Sequence, residues 1–267
     1  SIGSLWGTTS GFDEQDFALV QWWWQQEFLD NSVWFRAGKI DLATMFDVYR
    51  FNSVNHYYLN AAFSDNPAIP FPENGWGVAG GWDVTEEWFL KYGIGDAEAR
   101  KTETINTGNI DAWTSMATVG WNGDVGDLGK GLYQVTGWHS DRRKEPERPS
   151  ASGFSVVVQQ ELANGWVPFV RYAWSDDAAV DVKSLITAGA VLEGVGKWEN
   201  DRIGIAGGWG SPHDPAYRDQ WTAEVFYRME LIPEFRLTPH AQIIVNPSRN
   251  RDDDVIGIFG VRGRLTF

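Results

Sequence analysis

In the C-terminal segment 254–267, every second residue is apolar or glycine, and the residues between them include Ile256 and Ile258 as well as charged side chains. Its polar face carries Arg262 and Arg264, and its other face is wholly apolar or glycine: Val255, Gly257, Phe259, Val261, Gly263, Leu265 and Phe267. A period of two indicates a β-strand. A soluble sandwich could end in such a strand, but an apolar face opposite a charged one is more typical of a transmembrane strand between lipid and an aqueous lumen.

The same period of two runs through most of the chain. In 220–231, for example, Trp221, Val225 and Tyr227 face one way while Glu224 and Arg228 face the other. We count about thirteen strand candidates on this pattern. They cover 16–30, 32–43, 75–84, 88–94, 113–121, 129–141, 151–162, 165–177, 181–193, 201–210, 220–231, 235–247 and 254–267.

The connections between these candidates differ in length. Segments 161–166 and 231–235 are short, whereas 140–151 and 246–254 are longer and charged. Short turns at one end and long polar loops at the other are how an outer-membrane barrel is built. The pattern therefore predicts an all-β fold, an antiparallel transmembrane β-barrel that takes up residues 1–267 as a single domain.

The 42–74 segment breaks the alternation and contains many asparagines and aromatic residues. Loops of this length are usually functional or disordered. In a barrel, the segment could fold inward as a constriction loop, or it could pack over the rim. The sequence leaves both possibilities open.

Composition narrows the class of protein. Aromatic residues make up 15% of the chain, including 16 Trp, and Trp is enriched at membrane interfaces. No apolar run is long enough for a transmembrane helix. The net charge of −14 argues against nucleic-acid binding. The charged stretches 141–147, which mixes both signs, and 252–254, which is purely acidic, are interpreted as solvated loops, with calcium or lipopolysaccharide bridging as the alternative.

Cysteine is absent, which excludes disulfide scaffolds and thiolate metal sites. The first residues, Ser1 to Trp6, lack the basic and apolar regions of a signal peptide. The chain is therefore expected to be mature, truncated or cytosolic.

Three blocks of sequence resemble the carbohydrate-selective porins of the OprB type. The first runs from Phe35-Arg-Ala-Gly-Lys-Ile-Asp-Leu to Tyr58-Leu-Asn-Ala-Ala-Phe63, the second covers 218–228 and 237–247, and the third is Val261-Arg-Gly-Arg-Leu-Thr-Phe267. The resemblance implies a barrel with an even number of strands, about sixteen, in a Gram-negative outer membrane. It also implies passive diffusion of sugars through a lumen that inward loops narrow and that Arg and aromatic residues line. The match corresponds to the C-terminal two thirds of such porins, so we expect the first strands to be absent.

Residues on the polar parity are the candidates for lining the pore and contacting the sugar. Turning one of these charges towards lipid would cost about 2–4 kcal/mol near the midplane, so they are expected to face inward. For each of them the alternative is a salt-bridge and hydrogen-bond lattice that stiffens the wall. The candidates are Trp23, Arg36, Lys91, Arg171, Glu224, Arg228, Arg236, Arg262 and Arg264.

Two rival classes of protein remain besides a general or structural outer-membrane barrel. An enzyme is disfavoured, because the chain has only 4 His and no Gly-x-Ser-x-Gly elbow. A soluble Trp-rich β-sandwich that binds carbohydrate would have to expose an apolar belt larger than a soluble monomer tolerates. We expect no catalytic residue, cofactor or metal. The expected partners are mono- or oligosaccharides in transit, outer-membrane lipid and lipopolysaccharide, and the chain is expected to be a monomer or a homotrimer.

Overall fold

A computed structural model of the protein describes residues 2–11, 18–102, 110–195 and 198–266. The alternating segments form β-strands. In chain order these are β1 (Trp22–Phe28), β2 (Val33–Ile40), β3 (Gly75–Asp83), β4 (Trp88–Asp96), β5 (Trp113–Asp124), β6 (Lys130–Ser140), β7 (Arg143–Lys144), β8 (Glu147–Arg148), β9 (Ala151–Gln160), β10 (Trp166–Ser175), β11 (Val182–Val195), β12 (Trp198–Pro212), β13 (Gln220–Ile232), β14 (Phe235–Val245) and β15 (Val255–Leu265).

Helical structure is minor. In the described residues, one α-helix, α1, covers Ala61–Ser64, and two 3₁₀ turns cover Leu42–Thr44 and Gly126–Leu128. Within the described parts of the chain, no helix is long and apolar enough to cross a membrane.

The long strands form one continuous 13-stranded sheet, in which each strand pairs antiparallel with its neighbour in sequence. The short strands β7 and β8 form a separate hairpin inside the connection 141–150. The all-β antiparallel fold and the count of thirteen strands are confirmed. Among the described residues, β1 and β15 each have a single neighbour in this sheet.

Alternating exposure along the strands distinguishes the two faces of the sheet. In β15 the apolar parity is open to the surroundings, with Phe259 exposed by 87% and Val261 by 69%, while the intervening side chains are half-buried. The same parity is exposed on other strands, as at Tyr92, Val170 and Ile205. The sheet therefore has an apolar outward face, suited to lipid, and an inward face that is covered by other parts of the chain.

The connections confirm the predicted asymmetry. One end of the sheet has the short turns 29–32, 84–87, 125–129, 161–165 and 233–234, and the other has the longer connections 41–74, 97–112, 141–150, 176–181, 213–219 and 246–254. Short turns face the periplasm in outer-membrane barrels. The 42–74 segment therefore starts and finishes at the outer end.

The first strand is shorter than the pattern 16–30 predicts. Residues 16–17 lie outside the described residues, and β1 begins at Trp22. Its pairing with β2 sets this limit, because Trp22 lies opposite Lys39 and β2 ends one residue later at Ile40. The terminal Phe267 also lies outside the described residues.

Two segments without strand structure cover the inward face. The 42–74 segment contributes buried rings, among them Phe46, which packs so closely on β4 that a side chain at Gly93 would lie 2.6 Å from its ring. The N-terminal segment 2–11 contributes the buried side chains Leu5 and Trp6. The main core therefore lies between these segments and the inward side chains of the sheet.

Candidate functional site

The 42–74 segment is packed on the wall through aromatic rings. Phe169 of β10 and Phe226 of β13 project inward from the sheet, and Tyr49 and Tyr58 of the segment meet them with ring centroids 5.0 and 4.9 Å apart. The Tyr58 hydroxyl donates to the backbone carbonyls of the wall at Ala190 and Ile205. Burial also raises the pKa of Tyr49 above its ordinary value, as expected for a phenol in an apolar setting.

A buried ion pair fixes the start of this segment. Arg171 of β10 is 3% exposed, and its Nη2 donates to Oδ2 of Asp47 at 2.6 Å. Asp47 also accepts hydrogen bonds from Ser155 Oγ at 2.6 Å and from Asn66 Nδ2 at 2.8 Å. A buried carboxylate with three partners is well compensated for its lost hydration.

Arg171 also binds the far side of the same segment. Its Nη1 donates to the carbonyl of Asp65 at 2.9 Å, and its guanidinium lies 4.6 Å from the ring centroid of Tyr49. The Arg171 side chain therefore joins both the start and the later part of the folded segment to the wall.

A second buried carboxylate fixes the middle of the segment. Glu224 of β13 is 2% exposed and accepts from the backbone N–H groups of Leu59 and Asn60, each at 2.8 Å. His240 Nδ1 lies 2.7 Å from the same carboxylate. Asn60 extends the contact, because its side-chain amide donates to Thr222 and Gln242. We call Asp47, Arg171, Glu224 and Asn60 the anchor.

The N-terminal segment packs against the anchor from the outer side. Trp6 Nε1 donates to Asn60 Oδ1 at 3.0 Å, and the backbone N–H of Leu5 donates to Gln220 Oε1 at 2.8 Å. Ala61 N–H donates to the carbonyl of Gly7. Both irregular segments therefore share one hydrogen-bonded layer on β13 and β14.

Below the anchor, towards the short turns, three arginines surround the tip of the segment. Arg228 donates to the carbonyl of His56, Arg262 donates to the carbonyls of Val54 and Tyr57, and Arg264 contacts the His56 ring. Strands β13 and β15 lie on either side of β14 and bring these side chains together. We call Arg228, Arg262 and Arg264 the arginine cluster.

The carboxylates nearest to the arginine cluster already have other partners. Glu193 binds Arg50 and Arg202, Glu230 binds Arg236, and Glu224 belongs to the anchor. Among the described residues, no member of the arginine cluster forms an ion pair with a carboxylate. Arg228 Nε and Arg262 Nη2 are buried and have no hydrogen-bond partner in the described structure.

The four arginines around His56 shift its proton equilibrium. Burial, followed by the positive charges of Arg264, Arg228, Arg262 and Arg236, lowers the pKa of His56 below its ordinary value. The ring is therefore neutral near pH 7 and accepts from Arg264, whose Nη1 lies 2.9 Å from Nδ1.

A third group lies near the other edge of the sheet. Arg36 donates twice to Gln25 and lies 4.1 Å from the ring centroid of Trp23. Lys91 donates to the backbone carbonyl of Met45 at 3.3 Å and lies over Phe89. These side chains meet the start of the 42–74 segment.

All nine sequence-predicted residues thus lie on the inward parity, but in separate groups. Arg171 and Glu224 belong to the anchor, and Arg228, Arg262 and Arg264 form the arginine cluster. Arg236 pairs with Glu230 beside the cluster, while Trp23, Arg36 and Lys91 lie near Met45. A role for any of them in contacting sugar stays a prediction.

Sequence reasoning missed the partners in the 42–74 segment, notably Asp47, His56 and Asn60. No periodicity marks residues in an irregular segment. Arg202 and His240 could have been found, because they have the inward parity of β12 and β14. Across the described residues, no group of three or more His, Cys, Asp or Glu side chains could hold a metal ion.

A continuous antiparallel sheet with an apolar outward face, asymmetric connections and an inward segment over a basic wall is the architecture of an outer-membrane β-barrel. Comparison with known sequences identifies the family. The sequence profile of the carbohydrate-selective porin, OprB family, matches residues 124–267, more than half of the chain. The chain therefore belongs to this family, and its location is the bacterial outer membrane.

Individual relatives are distant. Porin AaxA of Chlamydia abortus is 20% identical over 97% of this chain, and the chain spans 60% of the length of that protein. In the high-pH structure of Pseudomonas putida OprB, 94% of this chain superposes on 73% of that chain with a TM-score of 0.80 and 17% identity. OccK11 (OpdR) of Pseudomonas aeruginosa has a TM-score of 0.55 and 10% identity, over 88% of this chain and 67% of that chain. These structures support the fold.

Proposed function

We propose that the protein is a channel for passive, selective diffusion of sugars across the outer membrane. Residues 42–74 act as its constriction loop, and the arginine cluster with neighbouring aromatic rings contacts the sugar. Family membership supports the carbohydrate class. The single observation that carries the proposal is the arginine cluster, because three guanidinium groups lie together on the inward face, directly below a firmly held segment, with no carboxylate partner among the described residues.

The chemistry of the site suits a hydroxylated solute. Guanidinium N–H groups donate to sugar hydroxyls, and ring faces such as Tyr57 offer an apolar surface to the C–H face of a pyranose. Tyr57 lies 5.0 Å from Phe51 and 5.7 Å from the Arg228 guanidinium. Selectivity in such a pore depends on its width and on the donors and acceptors that line it.

The remaining expectations belong to this proposal. Nothing in the arrangement of the anchor or the arginine cluster provides a nucleophile oriented by a base, so we propose a channel without catalytic activity. Lipid and lipopolysaccharide are its proposed surroundings. Monomer and homotrimer are distinguished by the molar mass of the detergent-solubilised protein.

Single-channel recording of the purified protein in a planar bilayer tests the proposal. Stable current steps that glucose and maltose block in a concentration-dependent manner are expected. Arg228→Ala and Arg262→Ala are expected to weaken the block while the barrel stays folded. A general or structural barrel would give sugar-insensitive steps or no steps, and unchanged block in both variants would remove these arginines from the site.

A further inference from the structure

We infer that the arginine cluster is a subsite for a negatively charged group, so that sugars bearing a carboxylate or phosphate are preferred over neutral ones. The inference rests on the proposed function and names the substrate class of the same site. Its basis is the unbalanced positive charge at the cluster, within a protein whose net charge is −14.

The charge balance is local and can be followed residue by residue. Arg236 and Arg202 are neutralised by Glu230 and Glu193, and Arg50 is shared between Glu193 and Glu161. The cluster lies beside these pairs without an ion pair of its own among the described residues. Its protein partners are neutral, namely backbone carbonyls of the 54–57 tip and the His56 ring.

Glu224 is the carboxylate that could still balance the cluster, since it lies on the same inward face of β13. Its oxygens are directed elsewhere, to two backbone N–H groups of the segment and to His240. Three donors on one buried carboxylate satisfy most of its capacity as an acceptor. It therefore makes its hydrogen bonds within the anchor, and its charge acts on Arg262 only through space.

The positive charge and incomplete pairing of the cluster have the character that an oxyanion requires. Arg228 is 8% exposed, and its Nε has no partner, as is also true of Arg262 Nη2. Buried guanidinium donors are rarely left unsatisfied, because the missing hydrogen bond is costly. A carboxylate or phosphate accepts from a guanidinium through two parallel bonds, which a single sugar hydroxyl does not do.

The purely acidic run 252–254 lies at the outer end, away from the cluster, whereas Glu193, Glu230 and Asp201 near the short turns bind other partners. Asp252, Asp253 and Asp254 lie in the long connection 246–254, and Arg218 and Asn250 bind two of them. At ordinary ionic strength their influence fades over about 10 Å. In this inference, the arginine cluster therefore sets the selectivity of the proposed constriction.

The experiment compares three pyranoses of one shape and different charge: glucose, glucuronate and glucosamine. Block of single-channel current is titrated with each in a planar bilayer. We expect glucuronate to block at about tenfold lower concentration than glucose, the size of effect expected for one charge-assisted hydrogen bond. Glucosamine is expected to block most weakly. The difference should shrink at high salt.

Two variants locate the effect. The double variant Arg262→Gln/Arg264→Gln keeps hydrogen-bond donors but removes two charges, and is expected to bring the glucuronate value close to the glucose value. The control Arg142→Gln alters an exposed ion pair with Glu147 at the outer end and should leave the ratio unchanged. A circular dichroism spectrum and heat-modifiable gel migration establish that each variant is folded.

The outcomes separate the inference from the proposed function. If glucose and glucuronate block equally in the unmodified protein, the anionic subsite is wrong and the sugar channel stands. If no sugar blocks a stable pore, the proposed function fails first. If glucuronate is preferred and the double variant keeps that preference, the arginine cluster does not cause it and the inference is overturned.

Discussion

The anchor and the arginine cluster lie on the same inward face of the sheet, yet their charged groups have different partners. In the anchor, Arg171 and Glu224 are almost completely buried and bind several polar groups of the 42–74 segment. In the cluster, guanidinium groups bind neutral carbonyls and have no carboxylate partner among the described residues. The first arrangement is suited to holding a segment in place, and the second to receiving a solute.

This difference teaches that inward parity alone does not identify a substrate-binding residue. An inward charge whose partners are buried in the same chain contributes to the structure. An inward charge without a counter-ion is the better candidate for contact with a solute in the proposed channel. Removing an anchor residue should therefore change stability and pore size, whereas removing a cluster residue should change selectivity.

The largest effect is expected for Arg171→Met. The substitution leaves Asp47 buried without its cation, and breaking a buried pair in this way costs about 3–5 kcal/mol. We expect the free energy of unfolding in detergent, measured with guanidinium chloride, to fall by that amount. The released segment should also give larger and noisier current steps.

Arg142→Met is the matched control, because Arg142 pairs with Glu147 in an exposed setting where ion pairs contribute little. If Arg171→Met were as stable as this control and as quiet in current recordings, the anchor would not hold the segment.

A smaller effect is expected for Glu224→Gln. The side chain keeps its shape but loses its charge and one acceptor, and hydrogen bonds to charged groups contribute about 1.5–3 kcal/mol. The backbone N–H groups of Leu59 and Asn60 should then exchange with deuterium much faster than in the unmodified protein. Protection of both amides to the same degree in the variant would mean that Glu224 does not fix the segment. Glu147→Gln, which alters the exposed pair with Arg142 in the connection 141–150, is the control.

The smallest effect concerns pH and His56. Its pKa is lowered by burial and by the neighbouring arginines. Below pH 6.5, which is about the ordinary pKa of histidine, His56 therefore binds fewer protons in the folded form than in the unfolded chain. The contribution of the neutral ring is fully present above that pH and is lost as pH falls through the lowered pKa.

Current noise from the 54–57 tip is therefore expected to rise on acidification, because a charged imidazole repels Arg264. His56→Gln keeps an acceptor but does not titrate, and should abolish this dependence. An unchanged pH profile in the variant would assign the effect to another group.

The sequence predicted the sheet well because one physical rule governs it. Lipid-facing and inward-facing residues alternate along each strand, and this alternation identifies both the strand and the face of each residue. Arg228 and Phe259 were therefore placed on the correct faces from parity alone. The length of β1 was wrong, since it depends on where β2 stops pairing. The hairpin of β7 and β8 was not predicted.

The site was less predictable. Parity placed Arg171 and Glu224 inward. It could not show that Arg171 pairs with Asp47, or that Glu224 accepts hydrogen bonds from the backbone N–H groups of Leu59 and Asn60. Such contacts join residues far apart in sequence, within a segment that has no period. The sequence therefore left open whether the 42–74 segment folds inward or over the rim, and the contacts with Arg171 and Glu224 support the inward arrangement as a proposal.

Shortening the 42–74 segment tests the central claim most directly. Asn66 Nδ2 lies 2.8 Å from Asp47 Oδ2, so a short Gly-Gly link can replace residues 48–65 and leave the Asp47–Arg171 pair in place. We expect the single-channel conductance of this variant to rise several-fold and block by sugars to disappear, because the tip over the arginine cluster is gone. A conductance and sugar block equal to those of the unmodified protein would contradict the account.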